Sequence, residues 1–313
     1  MSYRKRLPQL DAGMFVTDGG IETSLIFHQG LELPSFAAFV LLANDEGRNE
    51  LRRYYRPYLE IAAGSRFGLI LESPTWRANP DWAGAVGYTA ESLVAANRAA
   101  IGLMEELREE VADRVPAVVI SGCVGPQGDG YSPERMLSAD EAEEYHSTQI
   151  EAFARTAADM VCAITMTYAA EATGVTRAAR AAGLPAAISF TVETDGRLPS
   201  GQPLGEAIQE VDDATAGGPA YFMVNCAHPT HFAGVLEAGA GSAWASRVRG
   251  LRANASTLSH AELDAAEELD EGDPADLARR YAELRRWLPE LNVLGGCCGT
   301  DHRHLTAICA EWR

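Results

Sequence analysis

No run of apolar residues in this chain approaches the roughly 20 residues that a membrane-spanning helix needs. The polar and basic residues 1–6 are followed by no sustained apolar stretch, so the pattern of a secretory signal peptide is missing too. Positive charge is scarce, because 26 Lys and Arg residues stand against 44 Asp and Glu residues, a net charge of -18. Such a surface does not attract nucleic acid or an anionic membrane. We therefore expect a soluble, cytoplasmic protein that binds neither.

Cysteine is rare and unevenly placed. Six cysteines in 313 residues do not form the regular framework of a disulfide-rich secreted protein. Two of them, Cys297 and Cys298, are adjacent within Gly-Gly-Cys-Cys-Gly-Thr. Adjacent cysteines do not easily bond to each other, because the small ring strains the peptide between them. The flanking glycines leave the backbone free to aim both sulfurs at one point, so we interpret the pair as metal ligands.

A third sulfur is expected at the end of another apolar segment, and Cys226 follows the apolar run 221–225. Zinc bound by three protein thiolates keeps one tetrahedral position open, as in catalytic rather than structural sites. A substrate thiol could take that position, where zinc would lower its pKa enough to make it a thiolate at neutral pH. The three cysteines therefore predict a zinc site for thiol alkylation. The alternative is that they are ordinary buried cysteines.

Short apolar runs alternate with amphipathic stretches along the chain. The stretches have apolar residues three or four positions apart, as helices do. The runs that we interpret as strands are 14–18, 67–72, 117–122, 160–165, 186–192, 221–225, 248–253 and 291–294. Eight strand–helix units predict an α/β fold, a single (β/α)8 TIM-type barrel spanning residues 1–313, with a doubly wound sheet as the alternative. No linker, repeat or low-complexity tract divides the chain.

Active sites of such barrels lie at the carboxyl ends of the strands. Cys226 and the pair Cys297 and Cys298 follow predicted strands six and eight, so the fold and the metal site support each other. Asp18 ends strand one and is followed by two glycines, so it could bind a cationic amino group or simply form a turn. Trp76, after strand two, could face a methyl-onium cation or pack in the core.

Three motifs together resemble those of the homocysteine S-methyltransferase family. They are Asp-Gly-Gly at 18–20, Val-Asn-Cys at 224–226 followed by Pro229, and Gly-Gly-Cys-Cys-Gly-Thr at 295–300. The resemblance spans nearly the whole chain. It implies that the three cysteines hold zinc, that the acceptor thiol takes the fourth position and that Asp18 helps bind the acceptor's amino group. The implied reaction is direct transfer, in which the zinc-bound thiolate attacks a methyl carbon next to a positive sulfur or nitrogen.

The acceptor pocket departs from the family pattern. Members typically have Glu-Thr-x-Pro after the fourth strand, with a carboxylate that grips the acceptor's amine, whereas this chain reads Ile-Thr-Met-Thr at 164–167. Losing that partner should cost a few kcal/mol unless Glu22, Glu72 or Glu193 replaces it. The candidate catalytic and pocket residues are Asp18, Glu22, Trp76, Thr165 and Asn225, beside the metal ligands Cys226, Cys297 and Cys298.

The sequence thus predicts a zinc-dependent S-methyltransferase that acts on a small thiol, homocysteine by default, giving methionine. Its partners would be the thiol acceptor and a small methyl donor, with S-methylmethionine or S-adenosylmethionine favoured and betaine possible. The chain is short for separate folate or cobalamin modules. One alternative is a different thiol or selenol as acceptor.

A second alternative is hydrolysis by zinc-bound water, with a base among His228, His231, His302 and His304. A third is a non-catalytic zinc or redox-sensing protein in which one of these histidines fills the fourth metal position. The pattern favours no particular oligomeric state.

Overall fold

The computed structural model describes residues 2–11, 13–131, 133 and 135–312. Its eight strands are parallel and close into a barrel in chain order, with β1 paired to both β2 and β8. The strands are β1 (Phe15–Val16), β2 (Gly68–Glu72), β3 (Val118–Val124), β4 (Met160–Met166), β5 (Ala186–Phe190), β6 (Tyr221–Asn225), β7 (Val248–Ala253) and β8 (Val293–Gly296). The predicted (β/α)8 barrel is confirmed, and the pairing of β1 with β8 rules out an open doubly wound sheet.

A helix follows each strand. These helices are α1 (Asp45–Ser65), α2 (Ala90–Glu110), α3 (Ala139–Ala154), α4 (Ala169–Ala181), α5 (Leu204–Thr215), α6 (Pro229–Ala238), α7 (Pro274–Leu284) and α8 (His302–Glu311). Short helical turns join them: Pro8–Leu10, Ile21–Thr23, Ser24–His28, Pro34–Phe36, Ala38–Ala43, Pro80–Ala83, Gly84–Val86, Ala245–Arg247 and His260–Asp264. Within the ranges given above, no helix combines the length and the apolar character needed to cross a bilayer.

Local sequence explains where several helices begin. Ser138 accepts a hydrogen bond from the backbone N–H of Glu141, whose side chain in turn accepts from the backbone of Ser138. This reciprocal pair satisfies backbone groups that a helix start leaves unpaired. Asp273 accepts from two backbone N–H groups, and Pro274 after it has no N–H that needs a partner. The starts of α3 and α7 are therefore fixed by these capping residues.

The core has two layers, because successive strand residues point to opposite faces. The interior of the barrel is filled by Phe15, Ile70, Val119, Cys123, Met160, Cys162, Ile164, Ala187, Tyr221, Met223 and Val293. The alternate residues pack against the helices in a second, larger cluster. The barrel is therefore closed by side chains along its axis, and the space for a ligand is at the carboxyl ends of the strands.

Tyr281 on α7 fastens the last two strands at that end. Its side chain is 0% exposed. Its hydroxyl accepts a hydrogen bond from the backbone N–H of Ala253 and donates one to the carbonyl of Gly295, each at 2.7 Å. One phenol thus joins the end of β7 to the end of β8.

We expect Tyr281→Phe to lower the free energy of unfolding by about 1–3 kcal/mol, because two backbone groups are left buried without a partner. Urea denaturation followed by circular dichroism measures the loss. Tyr88→Phe is the matched control, since the Tyr88 ring packs edge-on against Phe39 at a half-exposed position. The control should change stability by less than about 0.5 kcal/mol. Equal losses in both variants would contradict the prediction.

Candidate metal centre

The structure brings the three predicted sulfur ligands together. The Sγ atoms of Cys226, Cys297 and Cys298 all lie within 4.8 Å of one another, and those of Cys226 and Cys298 are 3.6 Å apart. Tetrahedral zinc with Zn–S bonds of about 2.3 Å places its sulfur ligands about 3.8 Å apart. The donor set is soft and closely spaced, as zinc requires. The residues present therefore fit the metal that the sequence suggests.

The backbone conformation at the three cysteines directs their sulfur atoms toward one another. Cys226 has φ 54°, the left-handed region that side chains other than glycine seldom adopt, so its side chain leaves the alternation of β6. Its carbonyl accepts from His260 Nε2 at 2.6 Å. The Cys297 carbonyl accepts from both the N–H and the hydroxyl of Thr300, which tightens the Cys-Cys turn. The glycines before the pair are needed for space, because a Cβ on Gly296 would lie 2.0 Å from the Thr300 hydroxyl oxygen.

Asn225 joins three strands beside the sulfurs. Its Oδ1 accepts from the backbone N–H of Thr165 on β4 at 2.9 Å and from the hydroxyl of Ser189 on β5 at 2.6 Å. Its Nδ2 donates to the Thr165 hydroxyl at 2.9 Å and lies 4.0 Å from the Cys297 sulfur. Thr165 also has a left-handed backbone, with φ 66°. The amide of Asn225 therefore holds β4 and β5 in place beside the three cysteines.

An apolar-walled cavity of about 310 Å³ opens above the sulfurs. Among the candidate pocket residues, Asp18, Glu22, Trp76 and Thr165 line it, while Asn225 lies behind its wall. Ile164 also lines the cavity, at the first position of the stretch that departs from the family pattern. The wall is therefore apolar where the family pattern has a carboxylate.

Asp18 has a cationic partner within the protein. Its Oδ1 accepts from Arg252 Nη2 at 2.6 Å, and its Oδ2 accepts from the Tyr54 hydroxyl at 2.9 Å. Both side chains of the ion pair are nearly buried, at 5% and 6% exposed. Removing either partner would leave the other charge buried and unpaired, so the pair is a fixed part of the cavity floor.

The three candidate replacements for the missing acid lie in different surroundings. Glu22 and Glu72 line the cavity. Removal from water raises the pKa of Glu22 to about 8 and that of Glu72 to about 7. Glu193 lies in a tight turn after β5 and is not among the residues that line the cavity. Its carboxylate is 3.1 Å from His260 Nδ1. Two of the three candidates, Glu22 and Glu72, therefore line the cavity.

Several residues that line the cavity were not singled out in the sequence, among them Arg77, Tyr131, Arg252 and His260. The Tyr131 hydroxyl lies 2.9 Å from the Cys226 sulfur and 3.9 Å from that of Cys298, and its ring is 4.4 Å from the ring of His260. Burial raises the pKa of Tyr131 well above its usual range, so its hydroxyl keeps its proton and can donate. In the sequence, Tyr131 could have been noticed only by its position after strand three, at the end of the barrel where the active site was expected.

The histidines that the sequence suggested as a base or fourth ligand do not line the cavity. His228 caps α6 by accepting from the backbone N–H of Thr230, and burial lowers its pKa to about 4. His231 lies 2.9 Å from the carbonyl oxygen of Thr257. His302 begins α8, and His304 lies 3.2 Å from Asp301 within the same helix start. Among the described residues, no histidine belongs to the group of three sulfurs.

The family model for homocysteine S-methyltransferase matches residues 15–312. The chain belongs to this family. The match confirms the predicted resemblance, and the protein is a methyltransferase of the homocysteine S-methyltransferase type.

Solved structures agree in fold. The metallated form of the homocysteine methyltransferase MmuM from Escherichia coli superposes with a TM-score of 0.72 at 18% identity, over 96% of this chain and 97% of that one. The oxidized form of MmuM gives 0.73 at 21% identity, over 95% and 96%. At such identity the likeness shows the fold. The sequence matches no curated protein.

We expect Asn225→Ala to weaken metal binding by roughly 10- to 100-fold, as loss of a residue that orients ligands does. Zinc affinity is measured by competition with a chromogenic chelator. Ser121→Ala is the control, because Ser121 is a buried strand hydroxyl on β3 that contacts no sulfur ligand in the contacts described. Unchanged affinity in Asn225→Ala would show that the amide does not position the cysteines.

The raised pKa of Glu72 predicts a pH dependence of stability. The unfolded carboxyl ionises near 4.5, whereas the folded one keeps its proton up to about 7. Its contribution is therefore fully present below the unfolded value and is lost as the pH rises through the folded value. Glutamine stays neutral throughout, so the unfolding free energy of Glu72→Gln should fall less than that of the wild type between about pH 5 and about pH 8. Urea titrations at both pH values measure it, with the exposed Glu237→Gln as control. Parallel curves for wild type and Glu72→Gln would contradict the prediction.

Proposed function

We propose that this chain is a zinc-dependent S-methyltransferase that moves a methyl group from an onium donor to a small thiol, with homocysteine as the default acceptor and methionine as its product. The observation that carries the proposal is the convergence of three sulfurs, from segments 72 residues apart, at the floor of the cavity. No further His, Asp or Glu joins the group within the described part of the chain.

Cys226, Cys297 and Cys298 would hold the zinc. When bound, zinc lowers the pKa of a thiol in its open position, so that the acceptor is a thiolate at neutral pH. The thiolate sulfur forms its bond to the methyl carbon while the bond from that carbon to the onium sulfur or nitrogen breaks. The donor leaves as a neutral thioether or amine with the electron pair, and the proton of the acceptor thiol goes to solvent.

The protein residues have separate roles in this proposal. Asn225 and Thr165 keep the metal ligands in position through the hydrogen bonds between them. Asp18 and Arg252 form a neutral pair in the floor. Tyr131 donates to the sulfur group and covers it from the side of the β3 loop. Glu22 and Trp76 shape the wall that a donor would contact.

The charge of the cavity mouth supports a cationic donor. Several acidic residues line that side of the cavity: Asp129, Asp264, Glu268 and Asp270. Carboxylates gathered at an opening attract positive ligands and repel anionic ones. This favours the onium class, of which S-methylmethionine and S-adenosylmethionine are our preferred members and betaine the third.

Hydrolysis by zinc-bound water has less support than methyl transfer. It needs a base at the metal, and the four histidines considered for that role lie away from the cavity. His260 does line the cavity, but its two ring nitrogens already contact the Cys226 carbonyl and Glu193.

We expect Cys298→Ala to lose most of the zinc and essentially all methyl transfer while the barrel stays folded, because a catalytic metal at the barrel mouth does not hold the core together. Metal analysis, a transfer assay and circular dichroism on the same sample measure the three properties. Cys309→Ala is the matched control, since Cys309 is a buried cysteine on α8 in the helix layer. Full zinc content and activity in Cys298→Ala would refute the assignment.

A further inference from the structure

His260 contacts the sulfur group from two sides. Its Nε2 donates to the carbonyl of Cys226 at 2.6 Å, and its ring lies 4.4 Å from the ring of Tyr131. The hydroxyl of Tyr131 is in turn 2.9 Å from the Cys226 sulfur. The His260 side chain is 9% exposed and lines the cavity. One imidazole therefore touches both the backbone of a predicted metal ligand and the phenol that covers its sulfur.

The Cys226 carbonyl depends on this contact. Among the described residues, no backbone N–H donates to that carbonyl, and the Thr191 hydroxyl reaches it at the longer distance of 3.4 Å. Cys226 is buried, and its left-handed backbone, with φ 54°, costs free energy. A buried carbonyl without a good donor would add to that cost. Loss of the His260 N–H would thus favour another conformation of Cys226, in which its sulfur no longer lies beside the other two.

Glu193 fixes the rotation of the imidazole ring. Its carboxylate lies 3.1 Å from His260 Nδ1. A half-turn of the ring would place carbon atoms where the two nitrogens now lie, so the contacts with Glu193 and with Cys226 would be lost together. The backbone of His260 is fixed as well, since the neighbouring Ser259 and Glu262 form a reciprocal pair of hydrogen bonds. The ring is therefore held in the one orientation that serves the Cys226 carbonyl.

We propose that His260 is a positioning residue of the metal centre: oriented by Glu193, it keeps Cys226 in the conformation that places its sulfur beside those of the other two cysteines. This inference rests on the proposed zinc-dependent function and adds a residue, outside the three ligands, that tight metal binding requires. It also gives Glu193 a role other than binding the amine of the acceptor.

Two substitutions separate the ring of His260 from its donor. Phenylalanine keeps an aromatic ring against Tyr131 but has no N–H, whereas glutamine has an N–H donor and no ring. We expect His260→Phe to weaken zinc binding roughly 10- to 100-fold, as loss of a residue that orients metal ligands does. His260→Gln should recover most of that loss. Competition with a chromogenic chelator measures the zinc affinity of the full chain.

Cobalt(II) in place of zinc gives a second measurement that does not depend on methyl transfer. Its visible absorption bands report the geometry of the ligands around the ion. The bands of His260→Phe should differ from those of the wild type, whereas the bands of His260→Gln should match them. Wild-type zinc affinity and wild-type bands in His260→Phe would overturn the inference.

His231→Phe is the matched control. Its Nε2 also lies 2.9 Å from a backbone carbonyl, that of Thr257, but His231 does not line the cavity. The control removes the same kind of contact and should leave zinc affinity unchanged. Circular dichroism checks that each variant is folded. Equal losses of zinc affinity in His231→Phe and His260→Phe would contradict a specific role for His260.

A double-mutant cycle tests whether Glu193 acts through His260. The Glu193 side chain is 36% exposed, so Glu193→Ala should fold even if His260→Phe does not. We expect Glu193→Ala to weaken zinc binding by less than His260→Phe does, and to weaken it no further in a chain that already carries His260→Phe. Independent effects would add instead. Additive losses, or wild-type zinc affinity in Glu193→Ala, would overturn the role of Glu193.

The outcomes separate this inference from the proposed function. If the wild type binds zinc and transfers methyl groups while His260→Phe and Glu193→Ala bind zinc equally tightly, methyl transfer stands and the positioning role falls. If the wild type binds no zinc, the proposed function itself fails, and the inference fails with it.

Discussion

The side-chain amide of Asn225 is the interaction on which the rest of the site depends. One amide accepts from Thr165 and Ser189 and donates back to Thr165, so three neighbouring strands share a single set of hydrogen bonds. The residues on either side of this network, Thr165 and Cys226, have left-handed backbones that cost free energy. The hydrogen bonds around these residues offset that cost. They hold the Cys226 side chain out of the alternation of β6, with its sulfur beside those of Cys297 and Cys298.

Burial also determines the charge state of the ionisable groups around the cavity. Arg252 and Asp18 neutralise each other in the floor, which leaves a rigid polar base beneath an apolar wall. Glu22 and Glu72 keep their protons more readily than exposed carboxyls because water is excluded there. Arg77 packs against the rings of Trp76 and Trp82, and Asp129, Glu22 and Asp264 are the acidic groups that act on its charge.

The barrel and the grouping of the three cysteines could be predicted because each leaves a local mark in the sequence. Strand residues alternate and helix residues recur at three or four positions, and the glycines around Cys297 and Cys298 have no use in a packed core. Predicted and observed strands differ mainly at their ends, as at β1, where only Phe15–Val16 is regular. The contacts of Asp18 with Arg252 and of Tyr131 with Cys226 could not be foreseen, because they join residues 234 and 95 positions apart. Arg77 could not be singled out either, because the cavity that it lines forms only in the fold.

The closure of the barrel between β1 and β8 links the grouping of the three cysteines to the assembly of the whole sheet. Two of the three ligands directly follow β8, and β8 is held in place by pairing with both β7 and β1. Before β8 has paired, Cys226 is not held beside Cys297 and Cys298, and a lone thiolate retains zinc poorly. If the three cysteines hold zinc as proposed, stable metal binding requires that β8 has paired with β7 and β1.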